Sequence, residues 1–467
     1  MKDRILNNLN LLQAVIAIVL MLALGFFCYV VNFSLSIPLL ILLLGLYLKG
    51  YKNIDTKLFL HFGFLLALIV FVTHALLTYT TISALYVPVA AVAMIVMLLY
   101  NDLQLAFVMS FASSILVGLV AGNRLDLTIV YFCGSLMGAF CVRDSRTRSE
   151  LLNAAFFVGI LQVLCIVLLN PSKEFLFSRE FVLVYLRALF FNGFISAAVV
   201  LVTLKIFENL FGVMTNFSLL ELSDFNHPLL RLMILESPGT YHHSLFVSNL
   251  SETAADAIGA NSLLARVGGY YHDIGKLEKP QYFTENQIFE GNRHDKLEPS
   301  MSRLVILNHV KDGMELAKKY KLNPIISDFI LQHHGTSVMH YFYQRAISEV
   351  SDGQTVDEQT FRYPGPKPQT RETAIVLLAD SVEGACRSLD EPTPTRIDDT
   401  VRKVVNNKFI DGQLDECNLT LKDLDRISAT FSRVLSAMYH SRIKYPEKTD
   451  GYTANRKKST EENSNKS

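Results

Sequence analysis

From residue 11 to residue 208 the chain is almost continuously apolar, with only thin polar breaks. Eight runs stand out, at 11–33, 35–49, 58–80, 84–100, 103–121, 126–142, 151–170 and 180–208. A helix needs about 20 apolar residues to cross the hydrocarbon core of a bilayer, somewhat fewer in tight hairpins. Repeated runs of this length predict a polytopic helix bundle over 1–208. The second run is short, so the bundle has seven or eight crossings. The first run lacks a small-x-small cleavage site and reads as a retained anchor rather than a signal peptide.

Basic residues orient the bundle. Lys49, Lys52 and Lys57 follow the second run, and Arg143, Arg146 and Arg148 follow the sixth. With eight crossings both clusters share a side with Lys2 and Arg4, which the positive-inside rule makes cytoplasmic. The same count leaves everything after residue 208 in the cytoplasm. His61, His74 and Arg187 interrupt the apolar runs and read as helix–helix hydrogen bonds or snorkelling side chains, with no site assigned. The 43 basic and 43 acidic residues balance to zero, so no basic block exists to bind a nucleic-acid polymer. The six cysteines are scattered and form no CxxC pair, so neither a zinc ribbon nor a disulfide framework is indicated.

Residues 209–240 mix apolar spacing with breaks at Pro228 and Pro238. They read as one or two short amphipathic helices that either relay movement from the bundle or serve as a passive tether. From 241 to 445 the pattern is all-helical. "HSLFVSNLSETAADAIGA" ends at Gly259, a C-cap, and "NSLLARVGGYYHD" begins at the N-cap Asn261 with its helix expected to end near Gly275. Residues 351–370 are a polar, Pro-rich loop, and 446–467 read as a disordered tail.

Ten of the 12 histidines lie after residue 208. An ionisable residue falls at the core-facing end of five successive helices: His243, His272 with Asp273, His309, His333 with His334, and Asp380. His243 is preferred over His242 because the residues after it continue the helix face. Burying these groups without partners would cost several kcal/mol each on transfer scales, roughly 2–7. Metal coordination offsets that cost. Five histidines and two carboxylates exceed a single tetrahedral zinc site and match two divalent ions sharing a bridging carboxylate. A ligand set without thiolates favours Mn or Fe. Such a pair activates water as hydroxide and clamps phosphate oxygens. Lys276, within a turn of Asp273, is placed to neutralise a phosphate oxygen.

"YHHSLFVSNL", "GGYYHDIGK", "NHVKDG", "LQHHGT", "FRYPGPKPQT" and "LADSVEGACRSL" together resemble the HD-domain phosphohydrolases attached to a seven-helix membrane bundle, specifically the PgpH-type cyclic-di-AMP phosphodiesterases. The resemblance covers roughly 35–445. It implies an all-α protein of the bacterial plasma membrane with a cytoplasmic HD fold and a binuclear iron or manganese centre that opens cyclic di-AMP to pApA. It also implies that His243, His272, Asp273 and Asp380 hold one ion, and that Asp273 bridges to a second held by His309, His333 and His334. Lys276 would be catalytic with Asp273 and would steady the phosphate. Arg362 and Tyr363 are candidate nucleotide contacts, or part of a rigid surface loop. The lipid bilayer is the other expected partner, with a homodimer left open.

Relatives usually carry a large extracellular domain between a first anchoring helix and the bundle. Only a few residues separate the first two runs here, so that domain is expected to be absent. Two rivals remain: an HD enzyme for another nucleotide such as cyclic di-GMP, whose Gly-Tyr-Pro signature this chain lacks, and a receptor that binds nucleotide without turnover.

Overall fold

The computed structural model describes residues 56–287, 291–349 and 355–439. The apolar runs at 11–33 and 35–49 and the tail at 446–467 lie outside the described residues. The chain forms two compact units. One extends to Arg231 and includes Lys319–Ser327; the other comprises Leu232–Lys318 and the chain from Asp328 onward. Among the described residues there is no strand, only an isolated bridge between Val338 and Arg362.

The remaining six apolar runs correspond to helices α1 (Thr56–Tyr79), α2 (Val89–Tyr100), α3 (Leu103–Val120), α4 (Leu125–Cys141), α5 (Arg148–Leu169) and α6 (Arg187–Phe211). Four apolar helical stretches are long enough to cross a bilayer: Lys57–Tyr79, Leu103–Val120, Arg148–Leu169 and Phe181–Phe211. Their outward faces carry large apolar side chains such as Phe71, Phe157, Leu168 and Val202, while Ser110, Ser113, Gln162 and Asn192 are wholly buried. Polar groups inside and apolar groups outside are what a lipid solvent selects. This is a membrane protein.

α2 has 12 residues, roughly 18 Å of helix, well short of a ~30 Å hydrocarbon core. It is preceded by a single 3₁₀ turn, Ala84–Tyr86, and by Pro88, which cannot donate. The carbonyls exposed by this break are satisfied from other helices. Asn192 Nδ2 on α6 donates to Leu85 O at 3.1 Å and to Val87 O at 2.7 Å. Gln162 Nε2 on α5 steadies Asn192 Oδ1 at 3.2 Å, and the Tyr131 hydroxyl on α4 donates to Ala84 O. α5 and α6 come into backbone contact where Gly159 faces Phe190 O and Gly193 faces Ala155 O. Side chains at those glycines would separate the helices. His61 Nδ1 meets the Tyr100 hydroxyl at 2.8 Å, a bond between α1 and α2.

α6 ends at Gly212, whose φ of +66° turns the chain into the short helix α7 (Asn216–Leu222). The buried Glu208 clasps that turn: its carboxylate accepts from Thr215 N at 2.9 Å, from the Thr215 hydroxyl, and from Ser218 Oγ at 2.6 Å. α8 (Pro228–Glu236) follows.

Further along the chain come α9 (Pro238–Ala257), α10 (Ser262–Tyr271), α11 (Pro299–Lys319), α12 (Pro324–Gln332), α13 (His340–Glu349), α14 (Arg371–Arg387), α15 (Pro394–Ile410) and α16 (Leu421–Met438), which make up the second unit apart from Lys319 and the first turn of α12. α14 is its axis. Residues Ala374–Ala379 are fully buried, packed against Val247 and Leu250 of α9, Val401 of α15 and Ile427 and Phe431 of α16. A capping box of Thr370 with Thr373 starts α14, and Thr420 with Asp423 starts α16. Asn261 caps α10 through Leu264 N at 3.0 Å, and Gly259 takes a φ of +65° after α9. α10 stops at Tyr271, earlier than the expected Gly275, because the chain tightens into a 3₁₀ turn over Ile274–Glu278. Gly275 there lies against the His309 carbonyl and Gly313 N of α11, a crossing that admits no side chain.

Candidate metal centre

Five elements of the second unit deliver the seven predicted ligands to one point. His243 shares a buried stripe of α9 with Val247, Leu250 and Ala254, whereas His242 is exposed. His272 caps α10 and Asp273 opens the 3₁₀ turn, 0% and 1% exposed. His309 is on the buried face of α11 with Ser302, Gly313 and Leu316. His333 and His334 occupy the turn after α12, closed by Gly335 at φ +54°. Asp380 follows the buried run of α14.

Asp273 lies at the middle. Its Oδ2 is 3.4 Å from His243 Nε2 and 3.1 Å from His272 Nε2, and its Oδ1 is 3.5 Å from both His309 Nε2 and His333 Nε2. Asp380 Oδ1 faces His243 Nε2 at 3.1 Å and its Oδ2 faces His334 Nδ1 at 3.6 Å. The donor atoms form two groups, one of His243, His272, Asp273 and Asp380, the other of Asp273, His309, His333 and His334.

The protons on the rings can be assigned from what the outer nitrogens touch. His272 Nδ1 lies 2.8 Å from Gly269 O, His333 Nδ1 2.9 Å from Ile330 O, and His309 Nδ1 against Ile306 O. Carbonyls only accept, so these Nδ1 atoms donate. His243 Nδ1 likewise donates to Glu383 Oε2 at 2.7 Å. Each Nε2 is then a bare lone pair, and those of His309 and His333 confront each other at 3.2 Å. His243 Nε2, His272 Nε2 and Asp273 Oδ1 are buried without a hydrogen-bond partner. Orphaned polar atoms of this kind demand an explanation, and a divalent cation supplies one that fits both the atoms and the charge.

The electrostatics agree. Burial disfavours an imidazolium at His243, but Asp273, Asp380 and Glu383 outweigh it and lift its pKa well above the ordinary value. So much negative charge faces Nε2 that it calls for a positive species there, a proton or a metal. Burial pushes His309 down to about 4 and, with His333 beside it, holds His334 well below the free value, so both remain neutral ligands. Burial alone would raise Asp273; the Lys276 ammonium and His272 instead hold it well below the usual carboxylate range.

Lys276 Nζ sits 2.7 Å from Asp273 Oδ2 and 2.8 Å from Glu285 Oε1. It lines a cavity of ≈380 Å³ together with Phe283, His309, His334, Phe342 and Tyr363. Tyr363 stacks on His334, ring centroids 4.2 Å apart. Its loop is pinned beside the site by Tyr363 N donating to Ser337 O at 3.0 Å and Gln369 N to Gln332 Oε1 at 2.9 Å. Arg362 does not line that cavity. Its guanidinium is held by Glu358 at 2.7 Å and Asp411 at 2.9 Å. Sequence reasoning missed Glu383 and Glu285; Glu383, three residues past Asp380 on a helix, shares its face and was detectable by that spacing.

A family model described as "7TM receptor with intracellular HD hydrolase" matches residues 26–215, and one described as "HD domain" matches 240–385. The chain is 38% identical over 453 residues to "Cyclic-di-AMP phosphodiesterase PgpH" of Bacillus subtilis (strain 168), covering 95% of this chain and 62% of that protein. It is 40% identical over 365 residues to the Listeria monocytogenes serotype 1/2a protein of the same name, covering 78% of this chain and 50% of that one. A crystal structure of the L. monocytogenes PgpH HD domain in complex with cyclic-di-AMP is 48% identical and covers 46% of this chain and 100% of its own, with a TM-score of 0.44. The chain thus spans between half and two thirds of the length of these curated relatives.

Proposed function

We propose that the chain is a 7TM receptor with an intracellular HD hydrolase, a reading supported by the two family models over 26–215 and 240–385, and that it is a metal-dependent phosphodiesterase opening cyclic di-AMP to pApA. The observation that carries this reading is the convergence of four imidazole Nε2 atoms and two carboxylates on one buried point. The names of the two relatives point to the substrate.

In this reading His243, His272, Asp273 and Asp380 hold one divalent cation, and Asp273, His309, His333 and His334 a second, Mn or Fe in kind. When bound, such a pair supplies an activated water and neutralises charge developing on the phosphate. The chain's own residues do the rest. Asp273 presents one oxygen to each histidine group and is held in place by Lys276. Lys276, at the cavity wall, adds a positive charge beside a bound phosphate. Tyr363 offers a ring against which adenine can stack. Arg362 anchors the Tyr363 loop through Glu358 and Asp411 rather than touching nucleotide. The bundle through 208 anchors the enzyme in the bacterial plasma membrane, 209–240 links it, and 241–445 works in the cytoplasm.

The test is incubation of the full chain in detergent with Mn²⁺ and each cyclic dinucleotide. Release of pApA from cyclic di-AMP, lost in His272→Ala and Asp273→Ala, is expected. Faster cleavage of cyclic di-GMP would reverse the substrate, and tight binding without turnover would make the protein a receptor.

A further inference from the structure

The histidines of the centre differ in what stands behind them. His272, His309 and His333 give their Nδ1 protons to main-chain carbonyls. His243 gives its proton to a carboxylate, Glu383 Oε2. Glu383 is 3% exposed and lies one helical turn past Asp380 on α14. Its other oxygen is fixed by Arg387 Nε at 3.0 Å. A carboxylate is therefore buried directly behind His243, where His272, His309 and His333 each have a neutral carbonyl.

We propose that Glu383 is a positioning residue that makes the two cation positions unequal, so that the His243–His272–Asp273–Asp380 position fills first and holds its cation more tightly. The inference rests on the two-cation reading above and adds an order to it. A carboxylate acceptor fixes the imidazole and makes its free nitrogen a stronger donor than a neutral carbonyl does. The charge inventory points the same way. The His243 group has Asp273 Oδ2, Asp380 Oδ1 and, behind the ring, Glu383, with the Lys276 ammonium set against Asp273 Oδ2; the other group has three imidazoles and Asp273 Oδ1, with Asp380 Oδ2 3.6 Å from His334 Nδ1, so Glu383 is the carboxylate that sets the two apart. Arg387 offsets part of that charge, since it grips Glu383 Oε1 and its Nη2 lies 3.4 Å from His243 Nδ1, but its side chain is 41% exposed against 4% for the carboxylate. Solvent screens the guanidinium, whereas the buried charge acts at low dielectric on the ring it touches.

The full chain in detergent, stripped with EDTA, is titrated with Mn²⁺ while free Mn²⁺ is read by electron paramagnetic resonance. The unmodified protein should take up two ions in separated steps. Glu383→Gln keeps an acceptor for Nδ1–H but removes the charge. It should weaken the first step about 10-fold or more and leave the second in place, with Glu383→Asp restoring most of the loss. The second step, unchanged in the same titration, separates this role from a purely structural one, which would loosen both. Two steps weakened equally, or neither moved, would overturn the inference while leaving the metal centre standing. No tight Mn²⁺ uptake by the unmodified protein would overturn the metal centre itself and this inference with it.

Discussion

Gly275→Ala tests whether the crossing of the 3₁₀ turn with α11 sets the geometry of the centre. A methyl at Gly275 would sit 2.5 Å from Gly313 N, with the His309 carbonyl oxygen nearer still, where ordinary contact begins at 3.4 Å. The shortfall is at least 0.9 Å, and both obstacles are backbone, so no side chain can rotate away. The turn that carries Asp273 and the helix that carries His309 must part by more than that, because the His309 carbonyl oxygen is the nearer obstacle. Overpacking of this kind costs about 1–3 kcal/mol of stability. A displacement near 1 Å in a reacting geometry costs about 10²-fold in rate. The assay is kcat/KM for cyclic di-AMP at saturating Mn²⁺, with Mn²⁺ stoichiometry measured on the same sample. Gly384→Ala is the control: it is interior to α14 with nothing within 4 Å of an added methyl. It should keep full activity and gain about 0.5–1 kcal/mol from helix propensity. Wild-type kinetics and metal content in Gly275→Ala would refute the argument that this crossing positions Asp273.

Three further outcomes are expected. Asn192→Leu removes the donors to Leu85 O and Val87 O; Val87 O keeps its bond from Val89 N, so the cost is about 1–3 kcal/mol for Leu85 O, and the detergent-solubilised protein should melt at a lower temperature; an unchanged melt would show that water replaces the amide. Lys276→Met should lower kcat/KM about 10²-fold by removing a charge beside the phosphate, and Lys276→Arg should not restore it, because a planar fork does not fit between Asp273 and Glu285. Tyr363→Leu should raise KM for cyclic di-AMP about 10-fold, from a stacking contribution of about 1–3 kcal/mol, yet leave hydrolysis of bis(p-nitrophenyl) phosphate unaltered; equal losses on both substrates would place Tyr363 with His334 rather than with the base.

The features written in periodicity were legible before the structure. Six apolar runs became helices, and His243 was separable from His242 because only the former continues the stripe of Val247 and Leu250. Features that depend on pairing across distance were not. The break at Pro88 is visible in sequence, but its repair by Asn192, more than a hundred residues away, is not. Arg362 reads as a free cation in "FRYPGPKPQT"; only the fold brings Asp411 to neutralise it. The end of α10 was misplaced at Gly275 because that glycine serves a helix crossing, and its chemistry as a C-cap looks the same in one dimension.

The clasp at Glu208 has a mechanical corollary. With Thr215 and Ser218 fastened to a carboxylate of α6, the corner at Gly212 cannot act as a free swivel. α7 behaves as a crank on the shaft of α6. Its seven residues make an arm of roughly 10 Å, so a twist of about 10° in the shaft sweeps the far end through about 2 Å. A modest torsion of α6 would thus reach the far end of α7 as displacement rather than be absorbed as slack at Gly212.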